Sequence, residues 1–272
     1  MTRKTKAYRG LFLSALMVIS VFAGSIAFAG SAAADIKSDS ASVTLQDSSV
    51  VGENSQYTVS FDVNDSNSFT YVSVDFGANA DLSSVASNDD VAVTASSSAN
   101  PTVNGVSASE NTLVVTLGSS FSPTSDETIT LDIGATDAVV NAPAAGDYTL
   151  TTGLHKDDSG SPAAAFSTDS ATYTLDALTF SGTVQDSDVD GASKNIEDAS
   201  VELVESGESA TTDSSGQFSI SVTNLSKFDD TAKADVSVVA AGYTELTTTT
   251  DITSSPTYDL DGNEVDVSYL VD

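Results

Sequence analysis

The chain has 272 residues, with 39 Asp and Glu against nine Lys and Arg, a formal net charge of −30, one His and no Cys. No disulfide can form, the usual Cys/His zinc sites are excluded, and so acidic a surface repels the phosphate backbone that nucleic-acid binders hold with Lys and Arg. High charge also marks disordered chains, but 40% of the residues are apolar and they recur in long strand-like alternations, so a folded protein is expected.

The first 34 residues have the order of a secretory signal. Arg3, Lys4, Lys6 and Arg9 come first, an apolar run from Leu11 to about Ala29 follows, and Gly30-Ser-Ala-Ala-Ala34 ends it. Ala32 and Ala34 fill the A-x-A positions of a cleavage site, which starts the mature chain at Asp35. An apolar run of about 19 residues is also just long enough for an uncleaved membrane anchor. Gly24, Gly30 and the Ala-rich end favour cleavage. No Arg-Arg pair precedes the run, so twin-arginine export is not expected. Cleavage removes four basic residues and no acid, which takes the net charge from −30 to −34. In dilute buffer such a chain repels itself, whereas at 1 M salt the Debye length shrinks to about 3 Å. The string from Arg9 to Ala34 resembles the signal peptides of haloarchaeal S-layer and surface glycoproteins. That resemblance, confined to these residues, implies export across the cytoplasmic membrane of an extreme halophile, and the acidity suits folding in brine.

Residues 35–178 read as one all-β domain. Period-two alternation places Tyr57, Val59, Phe61 and Val63 on one face of a strand. The same pattern gives Val72, Val74 and Phe76, then Leu113, Val115 and Leu117, then Ile129, Leu131 and Ile133. Tyr148 with Leu150, and Tyr173 with Leu175, supply two more strands. Asn104-Gly105, Gly118-Ser-Ser, Gly146-Asp147 and Ser159-Gly160-Ser-Pro162 are the turn signals. Short strands with regular turns predict an immunoglobulin-like sandwich.

Residues 179–272 read as a smaller β-domain. The segments Phe180-Ser-Gly182-Thr-Val184-Gln-Asp186, Ile196-Glu-Asp198-Ala199-Ser-Val201-Glu-Leu203, Thr211-Thr-Asp213-Ser-Ser-Gly216-Gln-Phe218-Ser-Ile220 and Ala241-Gly242-Tyr243 together resemble the carboxypeptidase regulatory-like family. The resemblance implies a transthyretin-like sandwich without catalytic activity. Gly216 is expected in a tight turn, with Phe218 and Ile220 pointing into a core. The family's usual Gly before the Ala of the second strand is replaced by Asp198, and an insertion lengthens the first loop. Val265, Val267 and Tyr269 fit a closing strand. No apolar segment follows the signal and no Cys is available for a lipid. The expectation is a chain with no C-terminal or transmembrane anchor, released or held on the surface non-covalently.

The acidic loop is the main chemical candidate. Asp186, Asp188, Asp190 and Gly191, with Glu197 closing, fit the calcium-loop spacing D-x-D-x-D-G-x5-E. Alternate carboxylates supply oxygens, the Gly allows the sharp turn, and the last acid binds through both oxygens. Strands rather than helices flank the loop, so a solvated acidic insertion is the competing reading. Asp259-Leu-Asp261-Gly262-Asn-Glu264 is a shorter acidic turn. Asn64 and Asn224 head intact N-glycosylation sequons, while Asn100 is blocked by Pro101. A Ser-His-Asp triad would have to use His155, which lies in a polar His-Lys-Asp-Asp segment and reads as a solvated loop residue. No pair of carboxylates stands out for glycoside hydrolysis, and Trp is absent.

The reading is therefore an all-β protein, two tandem β-sandwiches behind a signal peptide. It is expected to act as a non-catalytic, secreted cell-surface protein of a halophilic archaeon, structural or adhesive, with calcium as a candidate cofactor. Expected partners are other surface or S-layer proteins, its own copies, or glycans. The alternatives are an accessory module binding carbohydrate or peptide, and a fibre subunit in which Asp35–Val43 pairs as a donor strand with the next copy.

Overall fold

Each alternating run buries one face, and that burial sets the architecture. The structure is a computed structural model that describes residues 35–272 apart from 65–67, 78–79, 135–138, 157–164, 188–192, 230–232 and 262–272. The first half holds β1 (Ser42–Leu45), β2 (Asn54–Ser55), β3 (Tyr57–Val63), β4 (Phe69–Asp75), β5 (Val91–Ala95), β6 (Val103–Ser109), β7 (Thr112–Phe121), β8 (Glu127–Ile133), β9 (Val139–Val140), β10 (Gly146–His155) and β11 (Ser167–Leu175). They form two antiparallel sheets, ordered β1-β3-β8-β5 and β11-β10-β4-β7-β6, and a small β2-β9 pair. The inward faces of the two large sheets make the core. Tyr57, Phe61, Ile129 and Leu131 come from one side, and Val72, Leu113, Val115 and Leu150 from the other, all fully buried. Tyr57 meets Phe76 edge-on at 5.1 Å and Tyr173 at 5.6 Å. Its hydroxyl is satisfied inside, donating to Asn141 Oδ1 at 2.6 Å, and burial raises its pKa.

The second half holds β12 (Leu178–Ser187), β13 (Ser193–Asn195), β14 (Ser200–Leu203), β15 (Glu208–Thr211), β16 (Gln217–Val222), β17 (Lys233–Val239), β18 (Leu246–Asp251) and β19 (Thr257–Asp259). One sheet is β13-β12-β16, with β19 added parallel to β12, and the other is β15-β14-β17-β18. Phe180, Val184, Phe218 and Ile220 pack from the first sheet against Val201, Leu203, Val236 and Val238 of the second. This is a second β-sandwich, so the chain is all-β in both halves. Gly216 has φ +70°, and a Cβ there would lie 2.4 Å from the Val184 carbonyl oxygen. The position therefore demands glycine on two counts. Asp198 also has a positive φ of 60°. The backbone there is left-handed, and a short polar side chain tolerates it.

Only Asp176 and Ala177 separate β11 from β12, yet the junction is stitched elsewhere too. Ala145 N–H donates to Thr223 O at 2.8 Å, Leu225 N–H to Pro143 O at 2.8 Å, and Val51 N–H to Asp176 O at 3.0 Å.

Four sequence expectations fail here, the first being Gly146-Asp147, which is no turn but opens β10, paired with Leu175 and Thr174. Asn104-Gly105 is no turn but lies within β6, where a bulge shifts the β6–β7 register between Val103 and Gly105. Gly118-Ser-Ser lies within β7, which runs on so that Phe121 reaches Phe69 at 5.5 Å between ring centres. The segment Asp35–Val43 is not a free donor. Asn64 N–H donates to Asp35 O and Lys37 N–H to Asp62 O, both at 2.8 Å. Ser40 and Ala41 N–H both donate to Asp169 Oδ2, at 2.9 and 2.8 Å. The segment thus clips the β3 edge to β11. The turn at Ser159–Pro162 and the strand through Val265, Val267 and Tyr269 lie outside the described residues.

Candidate functional site

The acidic loop starts on β12. Phe180, Val184 and Asp186 share the inward face, so Asp186 is carried to the end of the core and is 9% exposed. Its Oδ2 accepts from the Tyr243 hydroxyl at 2.7 Å, and its Oδ1 is buried without a partner among the described residues. A buried carboxylate oxygen left without a donor is costly, and a bound cation or water would satisfy it. Opposite Asp186 in the ladder stands Lys194, and Glu197 is exposed in the turn before β14. Asp188, Asp190 and Gly191 lie outside the described residues. Among the described residues no group of three or more His, Cys, Asp or Glu is placed to hold a metal. In the shorter acidic turn, Asp259 accepts from Ser187 N–H at 3.0 Å, Ser187 Oγ at 2.5 Å and Asp261 N–H at 3.1 Å. The Ser187 hydroxyl bond leads in holding its pKa low. That carboxylate braces the end of β12.

The two sequons sit differently. Asn64 is exposed at the end of β3, with Ser66 outside the described residues. Asn224 is half-buried at the junction, where its Oδ1 accepts from Ser226 N–H at 2.9 Å and caps the short 3-10 turn Leu225–Lys227.

His155 is not a solvated loop residue. It is the last residue of β10, 6% exposed, and its Nε2 lies 2.9 Å from Ser73 Oγ on β4, itself 6% exposed. Gly153 completes the patch, since a Cβ there would meet Ser73 Oγ at 2.7 Å and Ala165 Cβ at 2.9 Å. Ala165 lies over this patch, and Lys156 Nζ is 5.6 Å from the Phe166 ring centre. A Ser–His contact is the start of a nucleophile–base arrangement, but this one is closed over by Ala165.

Among the described residues the most strongly perturbed carboxyl is that of Glu127. Glu127 opens β8 on the inward side, in register parity with Ile129, Leu131 and Ile133, and is fully buried. Its Oε1 accepts from Ser97 and Ser98 N–H, at 3.0 and 2.5 Å. Its Oε2 accepts from Ser98 Oγ, Thr124 N–H and Thr124 Oγ1, at 2.8, 2.7 and 3.2 Å. Burial pushes its pKa up, but the Ser98, Thr124 and Ser97 donors outweigh that and bring it down to about 2. Parity alone flags it, because a Glu in phase with three core residues must be buried and satisfied.

A cleft of about 340 Å³ opens at the junction of the two sandwiches, lined by Val51, Pro143, Leu178 and Leu225 with Glu53 and Asp81 beside them. The Asp81 pKa is held low, chiefly by the Ser83 hydroxyl. No helix among the described residues is long and apolar enough to cross a membrane.

No family model matches the chain, and no curated protein does. Among solved structures, it is similar to BslA, a bacterial hydrophobin, at 17% identity over 52% of this chain and 95% of that one, TM-score 0.32. It is also similar to the 35 kDa C-terminal fragment of the major pilin GBS80 of Streptococcus agalactiae, at 10% identity over 82% and 98%, TM-score 0.34. A third is BcpA, the major pilin subunit of Bacillus cereus, at 11% identity over 81% and 70%, TM-score 0.30. At these scores the likenesses assign neither family nor function.

Proposed function

We propose that this chain is an exported, non-catalytic surface protein with a structural or adhesive role in the envelope of a salt-adapted cell, a halophilic archaeon by its leader. The observation that carries the reading is how the polar side chains are used. Glu127, Asp259 and Asn224 brace strand ends and loops, and two apolar cores are joined by backbone bonds within an acidic chain of net charge −30. Surface partners, glycans on Asn64 or Asn224, and calcium on the Asp186 loop belong to this reading. The buried Oδ1 of Asp186 supports the calcium part. The test is a deletion strain scored for adhesion and envelope integrity, complemented with wild type and with Ser73→Ala. Both copies should restore the phenotype. A surface-located, folded Ser73→Ala protein that fails to restore it would point to Ser–His chemistry and overturn the reading.

The junction cleft favours a second reading, an accessory module taking a small apolar or sugar ligand. Ligand-induced shifts in the amides of Val51, Gly52 and Leu225, with the cell-surface phenotype absent, would select it.

A further inference from the structure

Between Asp90 and Asp126 the chain carries a single charged residue, Glu110, although it carries 39 acids in all. These residues form β5, β6 and β7, and β5 and β6 are edge strands of the two facing sheets. Much of the stretch is exposed, including Ser96, Ser97, Asn104, Ser107, Ala108 and Ser109. It therefore forms a lateral flank poor in charge on an acidic molecule, bordered by the exposed Asp89 that precedes β5. Proteins usually guard an exposed edge with charges. Three other edge strands do so: β11 carries Asp169, β15 Glu208 and β18 Asp251. β6 carries none; nor do β1 and β16, but Asp169 accepts from the segment leading into β1 and Glu208 from Thr223 just after β16. The neighbouring β5 edge is partly closed by its own loop, since Ala95 N–H donates to Asn100 Oδ1 at 3.1 Å.

The missing charge identifies the kind of partner. A cationic partner would be drawn to acidic surface, and a neutral one would gain little from a bare flank. A partner with the same acidity needs such a flank, because carboxylates pressed into an interface are desolvated and salt does not relieve that cost. We infer that a second copy of this chain docks here, β6 pairing antiparallel with β6 of its partner about a twofold axis to join the two five-stranded sheets. A register centred on Ser107 sets Glu110 opposite Asn104, so the one charge on the flank does not face itself. Small side chains at Ser107, Ala108 and Ser109 let the backbones approach, and the β6 bulge lies at the far end, by Asn104. A twofold contact is self-complementary and closes at a dimer.

This inference goes beyond the surface role and stands or falls separately, since a monomeric chain can still be an envelope protein. The chain has no Cys, so single-Cys variants report contacts cleanly. Antiparallel partners lie about 4.5–5.5 Å apart at Cα, within the span of a disulfide. Under mild oxidation in molar salt, the full chain bearing Ser107→Cys should form a covalent dimer at least tenfold faster than one bearing Ser170→Cys on the β11 edge. Light scattering should show a wild-type dimer, and Ser107→Asp with Ser109→Asp should weaken it at least tenfold with no change in circular dichroism. A wild-type chain that stays monomeric at high concentration, equal crosslinking at both edges, or a folded Asp variant that still dimerises would overturn the inference.

Discussion

Replacing Glu127 by Gln tests whether a single buried carboxylate holds two loops of the first sandwich. The change is nearly isosteric, and Oε1 of the amide can keep the Ser97 and Ser98 N–H bonds. The amide nitrogen then replaces the oxygen that accepts from Ser98 Oγ, Thr124 N–H and Thr124 Oγ1. The hydroxyls can rotate, but the Thr124 N–H cannot, so one buried donor faces another. Losing a charged acceptor and stranding a donor should cost about 2–4 kcal/mol, or a fall of about 6–12 °C in melting temperature for a domain of this size. The pH dependence follows from the lowered pKa. The contribution is complete above the ordinary value of 4.5 and is lost as pH falls towards about 2. The assay is calorimetry in molar salt from pH 7 to 2, on wild type and Glu127→Gln. The wild-type advantage should vanish at the acid end. Equal melting at pH 7, or a constant difference at every pH, would refute the reasoning.

Lowering the salt from 1 M to 0.1 M lengthens the Debye length from about 3 to about 10 Å, and the β-sheet circular dichroism should be lost and recover when salt returns; full retention would separate the acidity from brine folding. Gly216→Ala, with its positive φ and a carbonyl 2.4 Å from the new Cβ, should destabilise the second sandwich by at least about 1–2 kcal/mol in denaturant titration. Calcium should raise the melting temperature of the full chain in high salt by mass action, and Asp186→Asn should abolish the increase. An identical response in wild type and variant would leave the loop a solvated insertion.

Much of the fold was legible because parity carries it. Tyr57, Val59, Phe61 and Val63 are all fully buried on β3, as an alternating apolar run requires. Parity also reaches the buried acids Glu127 and Asp186, which fall in phase with core residues. The misread positions depended on contacts remote in sequence. Asn-Gly is a strong hairpin signal, yet Asn104-Gly105 is held in a strand by pairing with β7. His155 looked solvated because its neighbours are polar, whereas Ser73, 82 residues away, and the returning Ala165 bury it. The segment Asp35–Val43 looked free because it has little alternation; its backbone is paired with β3 and its amides are clasped by Asp169.

The central claim is that an exported chain works outside the cell, and the most direct measurement is the location and N-terminus of the native protein. Intact cells are treated with protease, fractions of envelope, medium and cytosol are probed for the chain, and the purified protein is sequenced from its first residue. The account predicts a protease-accessible protein in envelope or medium that begins at Asp35. A protected cytosolic protein that still begins with its basic leader would contradict it.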